Sequence, residues 1–218
     1  MAVNHDLFAA LPPVQRTEPL GPGAMILRGF ASGSEAELLA AVASVTALSP
    51  FRHLVTPGGF QMSVAMTNCG ELGWVSDRTG YRYDSVDPLS QQAWPAMPAI
   101  FRDLAGAAAS EAAFASFRPD ACLINRYEAG TRLSLHRDYD ERDRTAPIVS
   151  VSIGVPATFL WGGLRRNDRA QRVQLESGDV VVWGSESRFV YHGIAPLAEN
   201  FHALTGQQRI NLTFRKAK

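Results

Sequence analysis

The second half of the chain, from about Ala121 onward, consists of short segments rich in β-branched and aromatic residues. They read CLINRY, RLSLH, IVSVSIGV, ATFLW, RVQLE, DVVVW, RFVYH and RINLTFR, and they predict seven or eight strands. The connections between them contain glycine turns and no helical crossovers. We therefore predict a closed antiparallel double sheet such as a jelly roll, with a sandwich of another topology as the alternative.

Two helices are predicted in the first half of the chain. Ser34 precedes the run EAELLAAVASVTAL, whose apolar residues recur at helical spacing, and Glu37 three residues later completes a capping box. A second helix is predicted over residues 99–114, after the sequence PAMP. Residues 51–83 lie between the two helices and are rich in Gly, Thr and aromatic residues, which favours hairpins and an adaptable loop surface.

The length and apolar content indicate one domain, because 218 residues of which 46% are hydrophobic can bury a single core. The fold class is α+β, mainly β. An irregular segment with four prolines covers residues 1–24, before a short strand at 25–28. Residues 25–120 hold the helices and a loop-rich lid, and residues 121–218 form the jelly-roll core.

Charge and cysteine content limit the partners and the cellular compartment that we expect for the protein. With 21 basic and 21 acidic residues the net charge is zero, so any contact with nucleic acid must be local. Cys69 and Cys122 form neither a disulfide framework nor a zinc pattern. No apolar stretch reaches membrane-spanning length, and the start of the chain lacks the pattern of an export signal. We expect a cytoplasmic protein with no membrane contact.

Three side chains are candidate metal ligands. His136 and Asp138 are two residues apart on a predicted strand, so they point to the same side, and His192 ends a later strand-like run. Two imidazoles and one carboxylate are the ligands of non-haem iron(II) oxygenases. The same spacing also arises by chance in strand-rich chains, and a zinc hydrolase could use these ligand types, although the helical HExxH arrangement is absent.

The last predicted strand carries an alternating row of polar residues. Arg209, Asn211 and Arg215 share one face of the segment RINLTFR, while apolar residues occupy the other, which predicts a half-buried strand. Inside a barrel mouth the two arginines would need anionic partners, and a dicarboxylate supplies two. Asn125 and Tyr127 likewise share a face of the segment NRY and offer further donors.

Taken together, these segments resemble the bacterial AlkB dealkylases, which are oxygenases dependent on iron(II) and 2-oxoglutarate. The resemblance extends from about Met25 to the end of the chain. The stretches that carry it are TPGGFQMSVAMTNCGELGW, WPAMP, PDACLINRYEAGTRLSLHRDYDE, APIVSVSIGVPATFLWGG, GDVVVWGSESRFVYHGI and RINLTFR. The most specific part is the ordered set NRY, HxDxD, a later His and RxNxTxR. It implies a double-stranded β-helix, or jelly roll, with flanking N-terminal helices and a nucleotide-recognition lid.

The resemblance implies roles for the residues that match it. Arg209 would pair with the distal carboxylate of 2-oxoglutarate, and Arg215 would lie nearer its keto-acid end. The implied iron ligands are His136, Asp138 and His192. The implied 2-oxoglutarate contacts are Asn125, Tyr127, Arg209, Asn211 and Arg215. The implied substrate contacts are Trp74, Tyr81, Asp140, Arg166 and Met66.

The implied substrate contacts also have plainer interpretations. By the resemblance, a flipped base would stack between Trp74 and His136, and Asp140 would contact its exocyclic amine. Trp74 could instead be a core or hairpin aromatic, and Asp140 could belong to a solvated loop of mixed charge. Met66 could fill core, and Arg166 could keep a basic loop soluble.

The implied activity is oxidative demethylation of N-alkylated bases such as 1-methyladenine and 3-methylcytosine, which directly reverses alkylation damage. Iron(II) would be the cofactor and 2-oxoglutarate and dioxygen the cosubstrates, with succinate and formaldehyde released. The expected partner of this monomer is alkylated single-stranded DNA, with duplex DNA or RNA as alternatives. Two rival functions remain: an oxygenase of the same fold acting on a protein or small molecule, and a non-catalytic cupin-like binding module.

Overall fold

A computed structural model describes residues 16–218, which form two antiparallel sheets, a separate hairpin and two helices. The helices are α1 (Glu35–Leu48) and α2 (Ala99–Glu111). The strands of the first half are β1 (Arg16–Gly21), β2 (Ala24–Arg28), β3 (Arg52–Val55), β4 (Gln61–Gly70), β5 (Gly73–Asp77) and β6 (Gly80–Asp84). Those of the second half are β7 (Ala121–Tyr127), β8 (Leu133–His136), β9 (Ile148–Gly154), β10 (Ala157–Trp161), β11 (Gln171–Leu175), β12 (Val180–Trp183), β13 (His192–Ile194) and β14 (Arg209–Arg215).

The predicted jelly roll is confirmed. The larger sheet has eight strands in the order β1-β2-β12-β9-β14-β7-β4-β3, and the smaller has four in the order β11-β10-β13-β8. Strands β5 and β6 pair with each other as a separate hairpin. No helix of residues 16–218 is both long and apolar enough to cross a membrane.

The apolar residues of the eight-stranded sheet form two separate layers, because successive side chains of a strand point to opposite faces. On β14, Leu212 and Phe214 pack in one cluster with residues of α1 and α2 such as Leu38 and Phe101. A second cluster contains Phe159 of the small sheet and inner residues of the large sheet. The helices therefore cover the outer face of the large sheet, and the interior of the double sheet lies on its other face.

Strand β14 is more deeply buried than its alternation predicts. All seven of its residues are buried, whereas the sequence predicts a half-buried strand. The reason is that the helices cover its apolar face while the small sheet covers its polar face. The polar row is consequently directed into the interior, away from bulk water.

Strand β13 differs from its prediction. The run RFVYH predicts a strand that ends at His192, but β13 begins at His192. The preceding residues form a short 3-10 helix at Ser185–Ser187 and a turn, in which Arg188 is 2% exposed. The guanidinium of Arg188 donates to the carbonyls of Ala146 and Asp138, so hydrogen bonding outweighs β propensity in this segment.

The first half of the chain differs from its prediction in three local details. Residues 16–21 form β1, which pairs with β2, within a segment that was predicted to be irregular; residues 1–15 of that segment lie outside the described residues. Helix α1 begins directly after Ser34 as predicted, but the Ser34 side chain makes no capping hydrogen bond. Helix α2 ends at Glu111, three residues earlier than predicted.

Candidate active site

The three candidate metal ligands converge at one end of the small sheet. His136 ends β8, and His192 is its direct cross-strand partner on β13, with ring centroids 4.5 Å apart. Asp138 follows β8, and its two oxygens lie 3.8 Å from His136 Nε2 and 3.9 Å from His192 Nε2. The donor atoms of all three side chains lie within 4.8 Å of one another, so the three residues could hold one metal ion.

Both imidazoles are held with Nε2 free to bind a metal. Nδ1 lies 2.9 Å from the Ser134 carbonyl in His136 and 3.0 Å from the Val190 carbonyl in His192. A proton on Nδ1 satisfies each carbonyl and leaves the Nε2 lone pair for the metal. Burial, together with the neighbouring His136, lowers the pKa of His192 to about 4. His192 is therefore neutral, as a metal ligand must be, at neutral pH.

Asp138 is ionised although it is buried. Burial alone would raise its pKa, but Arg215 and the two histidines reverse this effect and hold the pKa below its ordinary value. Arg215 donates from Nε and Nη2 to Asp138 Oδ2 at 3.1 and 3.0 Å. Arg215 is predicted to contact the cosubstrate; it does line the same cavity, and its guanidinium is directed at the candidate metal ligand Asp138.

Arg209 has hydrogen-bonding capacity that the described residues leave unused. It is 1% exposed, and its Nη2 donates to Ser152 Oγ at 2.9 Å. Its Nε and Nη1 have no partner among residues 16–218, and its guanidinium lies over the Tyr127 ring at 4.9 Å. A buried donor without a partner costs about 1 to 3 kcal/mol. The surroundings of Arg209 therefore fit a bound carboxylate.

The other predicted cosubstrate contacts lie beside Arg209 on two paired strands. Arg209 is opposite Tyr127 and Asn211 is opposite Asn125, so all four side chains share one face of the large sheet. Asn125 Nδ2 donates to Asn211 Oδ1 at 3.3 Å, while Asn125 Oδ1 has no partner among the described residues. The result is a polar wall with free hydrogen-bonding capacity facing the metal ligands.

One cavity of about 700 Å³ joins the candidate metal ligands, the polar wall and the predicted substrate contacts. At its mouth Trp74 and Tyr81 stack in parallel, with ring centroids 5.5 Å apart and planes inclined by 13°. Trp74 Nε1 donates to Asp140 Oδ2 at 2.9 Å. All five predicted substrate contacts line this cavity: Met66, Trp74, Tyr81, Asp140 and Arg166.

Glu141 is a buried residue near the site that was not identified from the sequence. Glu141 is 2% exposed and accepts hydrogen bonds from Tyr83 Oη at 2.8 Å and Arg188 Nη2 at 3.1 Å. Burial raises the pKa of Tyr83, so its hydroxyl is protonated and can donate. The run of acidic residues after His136 concealed Glu141, because nothing in the local pattern distinguishes a buried carboxylate from a solvated one.

Trp183 is a further cavity residue that the sequence did not reveal. It ends β12, is 1% exposed, and lies 4.9 Å from the His192 ring in an edge-on arrangement. Its Nε1 has no partner among the described residues. The sequence of β12, VVVW, has no alternation of polar and apolar residues that would indicate which side chains face the site, and all four residues are buried.

Comparison with known proteins gives consistent matches. The profile of the 2OG-Fe(II) oxygenase superfamily matches residues 23–215. The alpha-ketoglutarate-dependent dioxygenase AlkB of Salmonella typhimurium is 59% identical over 212 residues, which is 97% of each chain. The DNA N(6)-methyladenine demethylase ALKBH1D of Arabidopsis thaliana is 44% identical over 108 residues, covering 44% of this chain and 24% of that protein. The solved structure of OsALKBH1 superposes with a TM-score of 0.77 at 26% identity, covering 92% of this chain and all of that one.

Proposed function

Because this chain belongs to the 2OG-Fe(II) oxygenase superfamily, and within it to the AlkB dioxygenases, we propose that it oxidatively removes alkyl groups from the bases of nucleic acids. One observation carries the proposal: a single cavity joins a His-Asp-His cluster, a buried arginine with free donors, and an aromatic pair beside a carboxylate. These are the parts needed to hold a metal, a keto diacid and a flat cationic base.

The proposed metal ligands lie on or beside the small sheet, and the proposed contact for the keto acid lies on the large sheet. His136, Asp138 and His192 would hold iron(II), and Arg209 would hold the distal carboxylate of 2-oxoglutarate. Arg215 keeps Asp138 ionised and in place. When bound, iron(II) and 2-oxoglutarate supply the oxidation, in which dioxygen is consumed, succinate and carbon dioxide form, and the N-methyl carbon leaves as formaldehyde.

The mouth of the cavity supplies base recognition. Trp74 and His136 both line it, and a base lying between the two rings would stack on them. Asp140 is exposed beside Trp74, so it can accept a hydrogen bond from an exocyclic amine and offset the positive charge of 1-methyladenine or 3-methylcytosine. These two lesions are therefore the expected substrates.

We infer that single-stranded DNA is preferred and that the protein acts as a monomer. Entry into a buried cavity requires an unstacked base, which costs least when no complementary strand is present. All residues of the site lie in the one chain. RNA and duplex DNA are the comparison substrates.

The test measures succinate and formaldehyde from oligonucleotides that carry 1-methyladenine or 3-methylcytosine. We expect both products with the wild type in the presence of iron(II) and 2-oxoglutarate, and a loss of more than about a hundredfold with His136→Ala. His202→Ala is the matched control, because His202 lies outside the cavity and activity should be retained. Absence of metal- and keto-acid-dependent formaldehyde from every methylated strand would refute the proposal.

A further inference from the structure

The aromatic residues that would bind the base are carried by a hairpin that belongs to neither main sheet. Strands β5 and β6 pair only with each other among the described strands. Trp74 is on β5 and Tyr81 on β6. No strand ladder among the described residues joins this hairpin to the sheets, although Asn68 of β4 exchanges two hydrogen bonds with the Trp74 backbone and Ser76 donates one to the Val55 carbonyl of β3. On the side of the metal ligands, its distance must be set by other contacts.

Two side-chain hydrogen bonds between described residues join the hairpin to the segment that follows β8. Trp74 Nε1 donates to Asp140 Oδ2 at 2.9 Å, and Tyr83 Oη donates to Glu141 Oε1 at 2.8 Å. Trp74 and Tyr83 are direct cross-strand partners, so they extend from the same face of the hairpin. Two adjacent carboxylates thus receive two adjacent aromatic donors.

The two bonds differ in what a bound base would do to them. Asp140 is exposed and is the proposed acceptor for the amine of the base, so its bond to Trp74 lies where substrate competes. Glu141 is 2% exposed and does not line the cavity. Its bond to Tyr83 can therefore persist when the cavity is filled.

Glu141 is fixed by the same two arginines that hold Asp138. Arg188 Nη2 is 3.1 Å from Glu141 Oε2, and its Nη1 donates to the Asp138 carbonyl at 3.0 Å. Arg215 Nε is 3.3 Å from Glu141 Oε1, and its Nη2 is 3.0 Å from Asp138 Oδ2. The two carboxylates and two guanidiniums balance in charge, and they form one buried, hydrogen-bonded unit that includes the candidate metal ligand Asp138.

We propose that Glu141 is a positioning residue: through Tyr83 it fixes the base-binding hairpin relative to the candidate metal ligand Asp138. The inference rests on the proposed function, since it concerns where that site holds its base. A purely structural role for the Glu141–Arg188 pair is the alternative. That role predicts lower stability with no selective effect on the oligonucleotide.

The test is Tyr83→Phe, which removes one hydroxyl and keeps the ring. We expect the KM and Kd for a methylated oligonucleotide to rise about five- to tenfold, because a hydrogen bond to a charged acceptor is lost. The KM for 2-oxoglutarate should stay within about twofold, since Tyr83 does not line the cavity that holds the polar wall. Succinate formed per formaldehyde should increase, because a displaced base lets decarboxylation proceed without dealkylation.

A control and a second readout make the result decisive. Tyr191→Phe is the matched control, because the Tyr191 hydroxyl makes no hydrogen bond to the described residues, and it should behave like the wild type. Hydrogen exchange in residues 73–84 should become faster in Tyr83→Phe without any need for turnover. If Tyr83→Phe fails to fold, Glu141→Gln replaces it, with a smaller rise in KM expected from its neutral acceptor.

Each outcome separates the two ideas. An oligonucleotide KM, product ratio and hairpin exchange equal to the wild type's would overturn the positioning role while the dealkylase function stands. Faster hairpin exchange in Tyr83→Phe, combined with a wild type that releases no formaldehyde, would support the link between Glu141 and the hairpin and refute the proposed function. Equal losses for oligonucleotide and 2-oxoglutarate would assign Glu141 a merely structural part.

Discussion

Arg209 and Arg215 lie on the same face of β14 but differ in how many of their donors have partners. The guanidinium of Arg215 is paired with Asp138 and Glu141; burial alone would lower its pKa, but these carboxylates raise it. Arg209 keeps two donors without a partner, and burial lowers its pKa. In the described residues Arg215 therefore serves the protein's own carboxylates, while Arg209 is prepared for a ligand.

Arg209→Met is expected to separate stability from cosubstrate binding. Without 2-oxoglutarate the variant should melt at the wild-type temperature or a few degrees higher, because about 1 to 3 kcal/mol of unsatisfied burial is relieved for each donor. Addition of 2-oxoglutarate to the metal-loaded protein should raise the melting temperature of the wild type but not of the variant. A calorimetric shift of equal size in both proteins would show that Arg209 does not bind the keto acid.

At the residue scale, alternation along a strand was sufficient to predict part of the site. It placed His136 with Asp138, and it grouped the polar residues of β14. It could not reveal that Cys69 and Cys122 are cross-strand partners, both reduced and fully buried, because strand register between distant segments is set by the assembled sheet.

At the element scale, the strands of the second half were predictable because their packing agrees with their composition. The start of strand β13 was not, since Arg188 lies in the turn before it and hydrogen-bonds to the carbonyls of Ala146 and Asp138, contacts that the local sequence does not reveal. Helix α1 was predicted with the correct start, although Ser34 does not use its side chain as a cap. Local propensity thus located the elements, and tertiary hydrogen bonds decided their ends.

The loop after β6 is attached to β3 by one ion pair, which gives a prediction for stability. Asp87 is 3% exposed and accepts from Arg52 at 2.7 and 2.8 Å. Burial alone would raise its pKa, but Arg52 and local donors lower it below its ordinary value. Asp87→Asn should lower stability at pH 7 by about 2 kcal/mol, or about 4 to 8 °C in melting temperature.

The pH dependence of this effect has a defined sign. Since the folded pKa of Asp87 is below the unfolded value of about 3.9, its ionisation stabilises the fold above that pH, and the contribution is lost as the pH falls through the folded pKa. The difference between wild type and Asp87→Asn should accordingly shrink below about pH 4. Asp103→Asn, exposed on α2, is the control; a difference that grows in acid would contradict this account.

At the scale of the whole molecule, net charge cannot drive binding to nucleic acid, because the formal charge is zero. The basic residues that line the cavity mouth are few: Arg132, Arg137 and Arg166. If these three meet phosphates, the affinity for single strands should fall with salt with a logarithmic slope of about −2, and Arg166→Gln should reduce the slope by about 0.7. Fluorescence anisotropy between low and moderate salt measures it, and a slope steeper than about −5 would require a larger basic surface.

The candidate metal ligands stand on the four-stranded sheet, whereas the cradle for the keto acid stands on the eight-stranded one. An ion and a chelating diacid bound between the two sheets would therefore link the small sheet to the large one. In a cell that lacks iron(II) or 2-oxoglutarate, we expect the protein to be less stable and to be degraded faster by proteases. A shortage of either would then lower the amount of enzyme as well as its activity.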